Sequence, residues 1–309
     1  VIFVTSFVQS NDLTKPRPQG WFLLMGAISL ILTWHPLLKT FLLAWENEAY
    51  THILLIVPIS LGLIYMDWPG VRSTLRPGWQ AGSIPLVAAL TVAEFARWRS
   101  ESLTVDVQLS IYMLAVVLWW IGVFIACFGT RVSKGVLFPL CFLFWLVPLP
   151  AFLIGDIVRL LQQGSAYAAH WLFSAAGVPV TQDGIQITIP DLTVEVAQEC
   201  SSIRSSMILI VTTMVLAQLF LRSPWRKALV MILAIPLSIA KNGLRIFTIA
   251  MLGTRVDPGY LTGRFHHNGG AAFLAIALGV IFLLLWILRE DRSGQLQGVP
   301  TSAISPAPK

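Results

Sequence analysis

The chain has 309 residues, 56% of them hydrophobic and only 12% charged, with a formal net charge of +6. A soluble domain is about a quarter charged. Here the apolar residues form long runs near the roughly 20 residues that span a bilayer, so a soluble globular domain is excluded and an all-α polytopic membrane protein is expected. The isoelectric point near 9.5 does not point to nucleic acid, since there is no Gly-rich phosphate loop and no basic–aromatic stripe.

Residues 1–19 read as an N-terminal cytoplasmic segment. Polar residues and prolines break it, so it lacks a cleavable signal pattern, and the first spanning helix is expected to act as the targeting signal. Apolar runs follow at about 20–43, 51–66, 79–96 (weaker), 107–128 and 135–154, the last with Pro148 and Pro150 near its end. In 156–176, Arg159, Gln162, Gln163 and His170 interrupt the pattern. That segment reads as an amphipathic helix in the membrane interface, with a further crossing as the alternative. Residues 178–199 alternate β-branched and polar residues, with a turn signal at Asp183-Gly184 and then Pro190. They predict a small extracytoplasmic loop like a β-hairpin. Helices resume at about 202–221, 227–252 and 269–288. The expected organisation is one transmembrane domain over 20–292, with about eight crossings, and a disordered tail over 293–309. No internal repeat is visible.

Eight crossings put both termini on one side. That side receives Lys15, Arg17, Arg72, Arg76, Arg131, Lys134, Arg222, Arg226, Lys227, Arg289, Arg292 and Lys309. The opposite loops receive half as many: Lys39, Arg97, Arg99, Arg159, Arg255 and Arg264. The positive-inside bias makes the first side cytoplasmic. The short basic turn SPWRK (223–227) fixes the helices on either side of it.

This orientation brings three polar groups to the outer face. Cys200, in VEVAQECSSIRSS, precedes the helix that descends to Arg222. Arg245, in PLSIAKNGLRIF, is 18 residues beyond Lys227, or about 27 Å along the returning helix, near the outer edge of a hydrocarbon core of about 30 Å. His266 and His267, in GRFHHNGGAAFL, end the next outer loop. A thiol attacks a carbonyl as its thiolate. Cys200 opens a helix whose dipole favours an anion, and Arg204 shares its face at i+4. A histidine moves the proton, and Arg245 donates to an oxyanion or a substrate carboxylate. Asn242, three residues before Arg245, is placed to orient it.

Taken singly, each residue has a plainer reading: a small interfacial cysteine, a snorkelling arginine, ordinary loop histidines. Lys241 shares the burial problem of Arg245, and His52 and His170 read as interfacial. Cys127 and Cys141 lie in apolar runs and read as small buried residues. With Cys200 they form no CxxC pair and no metal-ligand spacing, so no metal or other cofactor is expected. Other readings are a transporter using Lys241, Arg245 and His170, or a non-enzymatic assembly protein of an exopolysaccharide system. A serine intramembrane protease is weaker, because no G-x-S-x-G element is present.

The segments VAQECSSIRSS, AIPLSIAKNGLRI and HHNGGAAF, in that order, resemble the exosortase/archaeosortase family of membrane cysteine transpeptidases. Its motifs read roughly A-C-S-G-x-R-S, N-x-x-R-I and H-x-x-x-G. The stretch WLVPLPAFLIGDIVRLLQQGSAYAAHWLFSAAGVPVTQDGIQITIP also resembles the family, and the similarity runs from about Ala49 to Leu288. It implies Cys200 as nucleophile, Arg245 as essential arginine and Arg204 as the second-motif arginine. It favours His266 as the histidine, because Gly270 stands four residues later, and leaves His267 as its rival. Ser202 stands where the family usually has glycine. The implied activity is cleavage of a C-terminal sorting signal (PEP-CTERM-like) on exported proteins at the outer face of a bacterial inner membrane. Such a signal is a short motif, a transmembrane helix and a basic tail. The acceptor is an unknown nucleophile, a lipid or exopolysaccharide component being one option, with water making the enzyme a plain protease. The implied partners are these substrates and membrane lipid, with no nucleic acid.

Overall fold

A computed structural model of the chain describes residues 18–71, 75–190, 192–196, 203–262 and 270–289. Within these the protein is predominantly helical, and its contacts group into two compact units that meet in the chain at Leu160 and Leu161.

The first unit opens with α1 (Pro18–Leu32) and α2 (Trp34–Glu46). The run expected as one crossing bends by 71° at Thr33. Pro36 lacks the N–H that would bond to Leu32, so the helical ladder is interrupted there. Thr33 Oγ1 donates instead to the Ser29 carbonyl at 2.7 Å. A 3₁₀ turn (Glu48–Tyr50) leads to α3 (Ile53–Val71), followed by α4 (Trp79–Trp98) and α5 (Val105–Phe128). A Cβ added at Gly82 of α4 would lie 2.6 Å from the Ala126 nitrogen of α5, and one at Gly122 would lie 2.8 Å from Leu86. Small residues thus let these backbones touch, as membrane helices require when packing rather than water drives association. Gly129 holds φ at +87°, and a Cβ there would fall 1.8 Å from the Arg76 carbonyl oxygen, leaving no room for a side chain. Phe124, Cys127, Phe128, Val132 and Leu140 form the core here, with the rings of Phe22 and Trp68 4.9 Å and 5.2 Å from that of Phe128.

The apolar run 135–154, read as one helix, is broken. It divides among α6 (Thr130–Gly135), α7 (Leu137–Phe142) and a 3₁₀ turn (Leu143–Leu146), before α8 (Ala151–Ala175) leaves at 98°. Pro148 and Pro150 cannot donate and hold their predecessors extended. The exposed backbone is met by side chains. Ser110 Oγ donates to the Pro148 carbonyl (2.7 Å), the Tyr50 hydroxyl donates to the Leu149 carbonyl (2.8 Å), and the Asp106 carboxylate accepts from the Ala151 N–H (2.7 Å). Cys141, read as buried, is exposed, whereas Cys127 is buried.

The second unit begins within α8, which carries the amphipathic pattern expected over 156–176 but starts earlier. Its buried stripe of Gln162, Ser165, Ala166, Ala169 and Phe173 packs on protein. The sheet that follows is a three-stranded antiparallel meander, β1 (Thr181–Asp183), β2 (Gln186–Ile189) and β3 (Leu192–Glu195). The expected turn is present, with Asp183 opposite Gln186 and Gly184 at φ +59°. A second hairpin, Ile189 opposite Leu192, adds the third strand. Ile187 and Ile189 face inward onto Phe173, Val196, Ile246 and Ala250. Three long helices complete the unit: α9 (Ile203–Phe220), α10 (Pro224–Arg255) and α12 (Gly270–Leu288), with the short α11 (Gly259–Thr262) between the last two. Leu209, Ala217, Val230, Ala277, Ile281 and Leu285 form their common core.

Among the described residues five helices are long and apolar enough to cross a membrane, or seven if each bent pair makes one span. Helix α4 is not among them, which separates this count from the expected eight.

Candidate functional site

Helix α10 has 32 residues, about 48 Å at 1.5 Å each, which exceeds a hydrocarbon core of about 30 Å. Ser238, Lys241, Asn242, Arg245 and Ile249 recur along it at helical spacing and are all buried. The two cations are 5% and 8% exposed. Insertion scales charge at least ~2.5 kcal/mol for one such residue at a helix centre, so a pair calls for a polar environment.

Neighbouring helices supply it. Lys241 Nζ donates to Ser205 Oγ in the first turn of α9, and Ser238 Oγ donates to Ser206 Oγ at 2.6 Å. On the other side, α8 crosses α10 so closely that a Cβ at Gly243 would lie 2.5 Å from Ala168 Cβ. At this crossing Asn242 Nδ2 donates to Ser165 Oγ at 2.9 Å. The expected role of Asn242 was to orient Arg245; its amide nitrogen is instead committed to α8. Its buried Oδ1 has no hydrogen-bond partner among the described residues. One turn earlier on α8, Gln162 Nε2 donates to the Val196 carbonyl at 2.9 Å, and the Val196 N–H donates to Ile185 of the sheet.

Cys200, His266 and His267 lie outside the described residues. The flanks of Cys200 are described, and both are tethered. Val196 is held by α8 and the sheet, while Ser205 and Ser206 are held by α10. Arg245 follows Lys241 by one turn on the same buried face. Arg204 is on the exposed side of α9. His170 is partly buried on α8, and His52 is buried in the first unit with its ring edge-on to Trp145 at 5.9 Å.

Three hydrogen bonds fix helix registers, two of them the serine pairs above. Helices α9 and α10 run antiparallel, joined by a short turn, and the Ser205–Lys241 and Ser206–Ser238 pairs set their levels. Arg226 Nη1, in the first turn of α10, donates to the Leu288 carbonyl at the end of α12 at 2.8 Å.

The sequence singles out Lys241, Asn242 and Arg245 but not the serines that bond Lys241 and Asn242. The only hint was the density of small hydroxyl residues in CSSIRSS and at Ser238, which becomes meaningful once the helix register is known.

Several helices long and apolar enough to span a bilayer define an integral membrane protein, and one of them carries a buried cationic face. The family model of the transmembrane exosortases (Exosortase_EpsH) matches residues 45–283, and the chain belongs to that family. Membership supports a membrane transpeptidase- or protease-like role. No curated protein and no solved structure matches the chain.

Proposed function

We propose that the protein is a membrane cysteine transpeptidase or peptidase that cleaves a C-terminal sorting signal of exported proteins, with Cys200 as nucleophile. The observation that carries this reading is the level of Arg245 in the second unit. It lies four residues beyond Lys241, and four residues back from Ser205 along the antiparallel direction falls at position 201. It lies 19 residues beyond Arg226, and 19 residues back from Leu288 falls at position 269. The described helices that follow Cys200 and His266, beginning at Ile203 and Gly270, therefore start near the level of the buried guanidinium. Cys200 is three residues from Ile203 and His266 four from Gly270, a reach of at most about 11 Å and 14 Å.

In this reading the Cys200 thiolate attacks the scissile carbonyl, and Arg245 stabilises the oxyanion. His266, or else His267, protonates the departing amine. The resulting thioester passes its acyl group to an acceptor nucleophile, or to water, and the thiolate is regenerated. Asn242 and Lys241 hold α10 against α8 and α9. Arg204, at the mouth of the site, adds positive potential. No cofactor is required for these steps.

The proposed location is a bacterial inner membrane, with both termini cytoplasmic and the site at the outer face. The proposed eight crossings need α4 to cross as well. Its 20 residues reach about 30 Å, and it packs along α5, itself long and apolar enough to span. The proposed domain is a single transmembrane exosortase-like domain over 20–292.

The test is co-expression with a tagged protein that ends in a sorting motif, an apolar helix and a basic tail. Wild type shortens the tagged protein, and Cys200→Ala leaves it full length while still inserting and folding. Processing that continues in Cys200→Ala would overturn the proposal.

A further inference from the structure

The first unit contains a cavity of about 600 Å³, within the usual range for ligand sites. It plays no part in the proposed chemistry. Its construction explains its existence. The bend at Thr33 swings α2 away from the line of α1, and α4 contributes Ala89, Leu90 and Ala93 to the facing wall, two of the three being small. The third wall is one face of α5 from Val105 to Trp119. From its first to its last residue this face rises about 21 Å, more than one leaflet of a hydrocarbon core, which is about 15 Å deep.

The cavity is polarised along its length. Phe22 packs on Phe124 and Phe128, and Trp120 Nε1 donates to Ser29 Oγ at 2.8 Å, so α1 runs antiparallel to α5. Moving from Ser29 through α2 to Lys39 therefore approaches the start of α5, where Gln108 lies. The deep end is mostly apolar, with Leu32, Val116 and Trp119. The shallow end carries Lys39, Gln108 and Tyr112. Lys39 is exposed and makes no ion pair with a carboxylate among the described residues. A long, mostly apolar cleft along membrane helices that ends on an ammonium with no carboxylate partner among the described residues is complementary to one ligand chemistry: a hydrocarbon chain with an anionic head.

We propose that this cleft binds a single anionic phospholipid, with one acyl chain along α5 between α2 and α4 and its phosphate on Lys39. The lipid fills the hollow left by the Thr33 bend.

The test uses the full chain in vesicles containing trace phosphatidylglycerol or phosphatidylcholine with a photoactivatable group on the acyl chain. Cross-links are mapped by mass spectrometry. Phosphatidylglycerol should label the Leu109–Trp119 peptide about fivefold over phosphatidylcholine, the preference that one lysine near a membrane surface supplies. Lys39→Glu should bring the two lipids level, and Ala93→Trp should remove labelling of this peptide by both while labelling elsewhere persists. Should Ala93→Trp not fold, Ala89→Leu narrows the same wall with a smaller side chain. Equal labelling by the two lipids in the wild type, or labelling indifferent to the filled cavity, would overturn the proposal. Neither readout depends on Cys200 or on substrate processing.

Discussion

The two units treat buried polar groups differently. In the first, the hydroxyls of Ser110 and Tyr50 and the carboxylate of Asp106 serve backbone groups opened by Pro148 and Pro150, and aromatic rings fill the core. One side-chain pair, Trp120 with Ser29, also bridges helices there. In the second, three such pairs recur along one helix: Asn242 with Ser165, Ser238 with Ser206, Lys241 with Ser205. The buried Lys and Arg of the described residues both lie there. Backbone satisfaction is what any broken membrane helix requires. Paired side chains with two cations on one face exceed that requirement, and this excess is the physical reason to place the chemistry in the second unit.

Arg245→Met tests the contrast most severely. Replacing a buried charge with an apolar side chain of similar length is often tolerated in stability, whereas loss of an oxyanion donor costs about 100-fold or more in rate. Processing should therefore collapse while the melting temperature in detergent stays within a few degrees. A variant that unfolds would make Arg245 a structural residue. Next come two glycines with the same geometry. Gly243→Leu and Gly82→Leu each force a side chain into a helix contact, at about 1–3 kcal/mol of overpacking. Both should lower the melting temperature. Only Gly243→Leu should slow processing per folded molecule, because only it displaces the helix that carries Arg245. Equal kinetic effects would dissolve the distinction between the units.

Lys241→Met should reduce processing about tenfold, the effect of losing one charged hydrogen bond of about 1.5 kcal/mol that positions the first turn of α9. The smallest effect is expected from Ser110→Ala, which leaves the buried Pro148 carbonyl without its hydroxyl partner. It should cost about 1 kcal/mol of stability and leave processing per folded molecule unchanged. Melting curves and substrate-shortening assays read all of these variants.

Much of the secondary structure is legible in the sequence, although the division into two units is not. Apolar runs mark the helices, because length and hydropathy are local properties. The turn at Asp183-Gly184 is likewise visible, since glycine at positive φ is a local demand. What escaped is non-local. The Thr33 bend and the break-up of 135–154 arise from prolines inside apolar runs, where hydropathy stays high while the ladder fails. The third strand follows Pro190, a residue that reads as an end rather than a turn into another strand. On α10, Asn242 bonds far along the chain. Its partner Ser165 is 77 residues away, and only the close crossing at Gly243 brings them together. Cys200 and the two histidines rest on the motif resemblance and the helix registers together.

The central claim is that the Cys200 sulfur lies beside the Arg245 guanidinium. The direct measurement is the pH dependence of Cys200 alkylation, with Cys127 and Cys141 replaced by alanine, in the presence and absence of Arg245→Met. A nearby cation favours the thiolate, so the midpoint should fall below the free-thiol value of about 8.5 and rise by about one unit or more when Arg245 is removed. An identical midpoint in both proteins would contradict the account.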